Sequence, residues 1–361
     1  MSGGDLLGGG VDEPEDGGGQ PGGGERAVEV AGALASPDDL LEARGLVKVY
    51  GETRAIDGID LTVQRGQVFG FLGPNGAGKT TTIRILATLT QLDGGTARVL
   101  GLDVRSERNA IRARVAVTGQ FSALDNDLTG YENLVMFGRL RGLSRAASKR
   151  RADELLDAFG LTGAADRPVG GYSGGMRRRL DIGASLIVIP DLLFLDEPTT
   201  GMDPRSQIQV WELVRRIAAA GTTVLLTTQY LEEADQLADQ IAVIDHGLIV
   251  AEGTSAQLKA RVGSGALHVR LLDGEQRSAA QAILSGTLEG PVRLGADPLA
   301  LSVLLASPAD PADPAAVGRL VGEAMTQLAA ARVAVAEVTL GQPSLQEAFL
   351  ALTGPAATDH S

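Results

Sequence analysis

Nine consecutive residues, Gly73-Pro74-Asn75-Gly76-Ala77-Gly78-Lys79-Thr80-Thr81, have the types and the spacing to hold a polyphosphate. They fit Gly-x-x-x-x-Gly-Lys-Ser/Thr, follow the apolar run Val68 to Leu72 and open a helical-looking segment that reaches Leu89. In that strand, loop, helix setting, backbone N–H groups at the helix N-terminus would cradle phosphate oxygens. Lys79 would reach the β and γ phosphates, and the Thr80 hydroxyl would ligate Mg²⁺. A glycine-rich turn that only joins a strand to a helix needs neither the lysine nor the hydroxyl at those offsets. The stretch therefore predicts a nucleoside triphosphate site.

Two further stretches could do chemistry. The apolar run Leu192 to Leu195 ends in Asp196-Glu197-Pro198, and two acids closing a buried strand are costly unless they serve a cation or a reaction. Beside a phosphate loop, Asp196 fits the carboxylate that helps hold Mg²⁺ and Glu197 the residue that polarises an attacking water. The plainer reading makes the pair a cap for the helix that starts near Pro204. In Tyr172-Ser173-Gly174-Gly175-Met176, Ser173 is placed to cap a helix running to about Ile187, and the two glycines let a ligand approach the first-turn N–H groups. An ordinary capped helix after the Gly170-Gly171 turn would look the same. Tyr50, between the first strand and the phosphate loop, could stack on a nucleobase or simply pack.

The elements that must position these residues can be read from periodicity. Ala43 to Tyr50 and Ile56 to Gln64 have strand patterns and lead into the phosphate loop. Ala97 to Leu100 and Val115 to Thr118 read as short strands, the second ending at Gln120. Thr129 to Phe159 turns helical, with Tyr131, Leu134, Val135 and Leu140 on one face, and then a charged helix whose Lys149, Arg150, Arg151, Asp153 and Glu154 read as a solvated face. Thr222 to Thr228 is a buried strand ending at Gln229, followed by a helix with Leu231, Ala234 and Leu237 inward and by strands Ile241 to Asp245 and Leu248 to Ala251. Strands alternating with helices in this way predict a largely parallel sheet covered on both faces. Ligands of such sheets sit beyond the carboxyl ends of the strands, where Lys79, Gln120, Glu197 and Gln229 all fall. From about Leu267 the character shifts to strands at Leu267 to Leu272, Val292 to Leu294, Ala300 to Leu304 and Val333 to Leu340, around helices at about Ser278 to Leu284 and Pro314 to Ala331. Ser307 to Pro314 reads as a loop, and a last helix, Ser344 to Leu352, has an apolar stripe of Leu345, Ala348, Phe349 and Leu352 that reads as core.

Composition bounds the setting. A chain of 361 residues is long enough for two folded parts, and a net charge of −13 argues against nucleic acid as a partner. Cysteine is absent, which excludes disulfides and thiolate metal sites and fits a reducing compartment, read here as the cytosol. No window holds the roughly 18 apolar residues of a transmembrane helix, and the start lacks the basic and apolar segments of a signal peptide. Membrane work would therefore go through another chain. Residues 1–38, rich in Gly and acids, read as a disordered tail, 39–262 as the nucleotide domain with a helical subdomain at about 121–188, 263–354 as a small α+β domain and 355–361 as a tail.

Taken together, these motifs resemble the ATP-binding cassette (ABC) family over roughly Ala43 to Thr254. Gly73 to Thr81 looks like its Walker A, Gln120 its Q-loop, Ser173 to Met176 its signature, Leu192 to Glu197 its Walker B and Gly201-Met202-Asp203 its D-loop. The fold this implies is α/β, a P-loop NTPase with a helical subdomain, plus the small C-terminal α+β domain. The resemblance implies ATP and Mg²⁺ as cofactors. It places Glu197, Gln229 and Gln120 in catalysis, Thr80, Gln120 and Asp196 around the metal, and Ser173, Gly174, Gly175 and Asp203 with Walker A and Tyr50 around the nucleotide. Tyr-Ser-Gly-Gly-Met in place of Leu-Ser-Gly-Gly-Gln, Thr-Thr-Gln-Tyr at 227–230 and the ending Ser-Leu-Gln-Glu-Ala-Phe-Leu-Ala-Leu-Thr-Gly are similar to ATP-binding subunits of the daunorubicin and doxorubicin resistance type. That type implies drug export through a separate integral-membrane permease, a head-to-tail homodimer of this chain, and a place on the cytoplasmic face of the membrane. Gln229 stands where most cassettes have a switch histidine. A glutamine keeps hydrogen-bonding capacity but cannot become cationic or shuttle a proton, so slower but retained hydrolysis is expected. The rivals are a soluble cassette of DNA repair or translation, disfavoured by the acidic charge, and a nucleotide-gated interaction module with little turnover.

Overall fold

The computed structural model describes residues 36, 38–119, 123–262, 265–288, 292–294, 297–305 and 316–353. The chain opens with β1 (Asp39–Tyr50), β2 (Thr53–Gln64), β3 (Val68–Leu72), α1 (Lys79–Leu86), β4 (Gly94–Val99), β5 (Leu102–Asp103), α2 (Arg108–Arg114) and β6 (Val115–Thr118). A helical stretch follows, α3 (Gly130–Leu140), α4 (Arg145–Ala158) and α5 (Gly174–Ser185), and then β7 (Leu192–Asp196), α6 (Pro204–Ala219), β8 (Thr223–Thr228), α7 (Leu231–Leu237), β9 (Gln240–Asp245), β10 (Leu248–Gly253) and α8 (Ser255–Ala260). The last elements are β11 (Gly265–Leu271), α9 (Arg277–Thr287), β12 (Val292–Leu294), β13 (Ala300–Leu305), α10 (Ala316–Ala330), β14 (Val335–Gly341) and α11 (Leu345–Leu352).

The central sheet has the order β10-β9-β3-β8-β7-β6, with β9, β3, β8, β7 and β6 parallel and β10 antiparallel at the edge. Its middle strands are buried on both faces, which is why Val68 to Leu72 and Leu192 to Leu195 read as unbroken apolar runs. The two-residue period divides them between two cores. Phe69, Phe71, Phe194 and Leu225 face one layer together with Leu46, Ile56 and Ile83. Leu193, Leu195, Val224 and Leu226 face the other, with Leu155 of α4, Leu180 of α5 and Val214 of α6.

The largely parallel sheet expected from the sequence does not include the first two strands. β1 and β2 do not join it but form a separate antiparallel sheet, β2-β1-β4-β5. Only Gly51 and Glu52 separate the two strands, and so short a link permits a hairpin but not a parallel crossover. The helix after the phosphate loop ends at Leu86 rather than Leu89. Thr88 has φ 62°, and Arg112 holds it there by donating to its hydroxyl at 2.8 Å and its carbonyl at 2.6 Å. Leu140, expected on the apolar face of α3, is 73% exposed. Six residues after the buried Leu134, it sits off that face on a helix of 3.6 residues per turn. Of the charged residues on α4, Arg151 is not merely solvated, because it donates to the carbonyls of Leu186 and Ile187 at the end of α5.

The last sheet, β12-β13-β11-β14, is antiparallel and packs Leu267, Val269, Leu301 and Val303 against Ala280 and Leu284 of α9 and Leu328 of α10. The expected loop Ser307 to Pro314 falls outside the described residues. Helix α11 is capped by Ser344 and Glu347 in a reciprocal box, and its stripe is core as expected, but not the core of that sheet. Leu345 and Ala348 pack with Leu72, Ala234, Ile241, Val243 and Leu258, on the outer side of the central sheet. Leu345→Ala is expected to lower unfolding free energy by about 2–5 kcal/mol in a denaturant titration, whereas an unchanged midpoint would show that α11 does not brace that sheet.

Candidate functional site

The loop between β3 and α1 is built by close backbone packing. A side-chain carbon at Gly73 would lie 2.3 Å from the Ile244 carbonyl, and one at Gly78, where φ is 109°, would lie 2.6 Å from that of Ala55. The loop is thereby pressed against the end of β9 and the start of β2. Pro74, Asn75 and Gly76 are exposed at its tip, while Ala77, Gly78 and Lys79 are buried and Thr80 and Thr81 half-buried. Gly78 caps α1 without a side chain, which leaves the first-turn N–H groups to an anion.

Lys79 is 4% exposed, and its ammonium donates to the carbonyls of Gly73 at 2.8 Å and Pro74 at 3.0 Å and lies 3.5 Å from Glu197 Oε1. Burial lowers its pKa, with Glu197 and then Asp196 pulling the other way. Thr80 Oγ1 donates to Asp196 Oδ1 at 3.1 Å, and Thr227 Oγ1 donates to the same oxygen at 2.5 Å. Glu197 has φ 47°, a left-handed conformation unusual for this residue type. Its N–H donates to the hydroxyl and carbonyl of Thr227, both at 3.1 Å, and Thr200 Oγ1 donates to its Oε2 at 3.2 Å. Three segments, the phosphate loop, the end of β7 and the end of β8, thus meet through side chains. Gln229, half-buried, directly follows β8, the strand between β3 and β7.

Ser173 caps α5 as expected, accepting from the Met176 N–H at 3.2 Å. The acid that caps α6 is Asp203, which accepts from the Ser206 N–H at 3.0 Å and hydroxyl at 2.7 Å, so the plainer reading of Asp196 and Glu197 as that cap is overturned. These contacts hold the Asp203 carboxyl below the usual carboxylate range. Gly175 packs against the same Ser206, where a side-chain carbon would come within 2.5 Å of Oγ. Among the described residues, no hydrogen bond or ion pair joins Ser173, Gly174, Gly175 or Asp203 to residues 73–81. Tyr50 is 48% exposed at the β1–β2 turn, with the Lys48 ammonium 5.1 Å from its ring centroid. Gln120 lies outside the described residues.

Two ionisable side chains removed from water escaped the sequence reading. Arg178 of α5 binds main-chain carbonyls around Glu197. Glu233 of α7 is fully buried, and its Oε1 accepts from Thr199 Oγ1 at 2.8 Å and Trp211 Nε1 at 3.1 Å. Burial raises the Glu233 pKa. The signal that could have found it is an acid on the same helical face as Ala234 and Leu237, near the chain's only tryptophan.

A family model described as ABC transporter matches residues 56–200. The daunorubicin/doxorubicin resistance ATP-binding protein DrrA of Streptomyces peucetius is 56% identical over 325 residues, covering 90% of this chain and 96% of that protein. This chain belongs to the ABC transporter family. The doxorubicin resistance ATP-binding protein DrrA of Mycobacterium tuberculosis is 45% identical over 89% of the chain and 95% of its own length. The Nod factor export ATP-binding protein I of Ralstonia nicotianae is 48% identical over 61% of the chain and 68% of its own. A solved ATP binding subunit of an ABC transporter superposes with a TM-score of 0.55 and 28% identity over 62% of this chain and 92% of its own. ABC ATP-binding domains bind ATP, and this ABC chain has an ATPase fold and activity coupled to transport.

Because Gly73 faces a carbonyl rather than a flexible side chain, Gly73→Ala is expected to abolish ATP binding in a fluorescence titration. Unchanged affinity would show that the loop can shift freely. The raised Glu233 pKa makes the folded state the better proton binder, so this group's contribution to stability is full below pH 4.5 and is lost as pH rises through its folded pKa. Glu233→Gln should therefore gain stability relative to wild type as pH climbs above 4.5, and a pH-independent difference would contradict the shift.

Proposed function

We propose that this chain is the ATP-hydrolysing subunit of an exporter that expels a drug or antibiotic through a separate membrane permease. The observation that carries the reading is the side-chain junction of Lys79, Thr80, Asp196, Glu197 and Thr227 at the carboxyl edge of the central sheet. Lys79 would hold the β and γ phosphates, with Gly73 to Thr81 around the triphosphate. Thr80 and Asp196 would hold Mg²⁺; their hydroxyl and carboxylate oxygens suit that ion, which takes few protein ligands and draws the rest from phosphate and water. Bound there, Mg²⁺ would supply charge neutralisation on the phosphate oxygens. Glu197 would orient the attacking water, and Gln229 would hydrogen-bond the γ-phosphate without exchanging a proton with it. Gln120 would join this set from the end of β6, and Tyr50 would stack on the base.

Ser173, Gly174, Gly175 and Asp203 form a second surface, with Gly174 beside a cavity of about 160 Å³ that Thr200 and Gly201 also line. Their separation from the phosphate loop within one chain supports a head-to-tail homodimer in which this surface covers the triphosphate held by the partner. Among the described residues no helix is long and apolar enough to cross a membrane. In this reading the permease is another chain, and this one lies on the cytoplasmic face, where ATP is supplied. A cavity of about 220 Å³ between β6 and the helical stretch, lined by Val117, Ala123, Phe137, Arg141 and Ala184, suits the permease's docking segment. The drug cargo rests on the relatives: those named for daunorubicin or doxorubicin resistance match about nine-tenths of the chain.

A nucleotide-gated module with little turnover remains the second reading, because Gln229 replaces an ionisable residue. Glu197→Gln is expected to lower steady-state phosphate release by about 10²–10⁴-fold while ATP binding persists, and retained release would remove Glu197 from the chemistry. Gln229→His should raise kcat at saturating ATP; unchanged turnover would show that the side chain does not limit hydrolysis. Mixing Lys79→Ala and Ser173→Ala subunits should restore one competent composite site per mixed dimer, and total inactivity of the mixture would contradict the head-to-tail arrangement.

A further inference from the structure

Arg178 is 10% exposed by side chain, and it donates to three main-chain oxygens and one carboxylate. Its Nε donates to the Pro198 carbonyl at 3.0 Å and its Nη2 to the Asp196 carbonyl at 3.1 Å, the residues on either side of Glu197. Its Nη1 donates to the Gly119 carbonyl at 2.7 Å, just beyond β6, and to Asp181 Oδ2 at 3.4 Å. A planar fork of five donors serves carbonyls from two loops at once in one fixed geometry, which the freely rotating ammonium of a lysine does not reproduce. The Glu197 peptide is thereby gripped on both sides: Thr227 takes its N–H, and Arg178 takes the carbonyls before and after it. Glu197 needs such a grip, because its φ of 47° persists only where the surroundings over-determine it.

We propose that Arg178 is a positioning residue for ATP hydrolysis, fixing the backbone that carries Glu197 and tying it to α5, the helix that starts at the Ser173–Gly175 turn. Among the described residues it makes no hydrogen bond or ion pair to the phosphate loop, so it acts on turnover and not on nucleotide affinity. In the head-to-tail dimer, the turn at the start of α5 covers one nucleotide while Arg178 on the same helix steadies the Glu197 that serves the other. This inference rests on the role proposed for Glu197.

The test compares kcat, KM for ATP and affinity for a fluorescent ATP analogue in the full-length chain carrying Arg178→Ala, Arg178→Lys or Glu197→Gln. Arg178→Ala should lose on the order of 10–100-fold in kcat, the effect of a misplaced catalytic group, with KM and analogue affinity held within about twofold. Arg178→Lys should fall between it and wild type. Guanidinium ion added to Arg178→Ala should restore part of the rate and should do nothing for Glu197→Gln. A wild-type kcat in Arg178→Ala, or a defect confined to KM, would overturn the proposal. If Arg178→Ala does not fold, Arg178→Lys decides on the same terms. A Glu197→Gln variant that still turns over would instead sink the role given to Glu197 and leave the Arg178 contacts to structure alone.

Discussion

An ammonium that is 4% exposed must be surrounded by oxygen, and the loop that holds Lys79 can be understood as the structure that meets this demand. Carbonyls of Gly73 and Pro74 accept hydrogen bonds from it, the carboxylate of Glu197 pairs with it, and Asp196 adds charge from slightly further away. The close approach at Gly73 and Gly78 sets the loop backbone against Ile244 and Ala55 and so fixes where Lys79 leaves it. A buried positive charge beside first-turn N–H groups is in turn a place where a polyphosphate is stabilised rather than repelled.

The parallel sheet makes the junction possible. Strands β3, β8 and β7 run side by side in the same direction, so the residues that leave their carboxyl ends arrive together even though Thr80 lies 116 positions before Asp196 in the chain. Thr227 is the hinge of this arrangement: its hydroxyl donates to Asp196 and accepts from the Glu197 N–H, joining strand β8 to the acid pair that ends β7. Arg178 and Glu233 extend the same logic to the helical side, each an ionisable side chain removed from water, with Arg178 donating to loop carbonyls and Glu233 Oε1 accepting from Thr199 and Trp211.

Much of this was legible in the residues. The phosphate loop announces itself by spacing, and the buried strands by apolar runs that parallel pairing requires. Asp196 and Glu197 stand out because acids rarely close such a run. Arg178 was not legible, since in Arg177-Arg178-Arg179 three adjacent bases look like solvated charge, and only the turn of α5 against β7 decides which one enters the core. Glu233 was hidden for the same reason behind Glu232. The antiparallel sheet of β1 and β2 and the packing of α11 on the far side of the central sheet depend on contacts between distant segments, which local periodicity does not encode. Leu140 failed in the opposite direction: it is apolar, but it sits off the buried face of its helix.

The most direct test is an equilibrium titration of the full-length chain with ATP, run with Mg²⁺ and with a chelator, on wild type and on Lys79→Ala. If Lys79 anchors the triphosphate and Thr80 with Asp196 holds the metal, wild type binds saturably, the chelator weakens that binding, and Lys79→Ala loses it. Binding by Lys79→Ala as tight as by wild type, in either condition, would contradict the site at its centre.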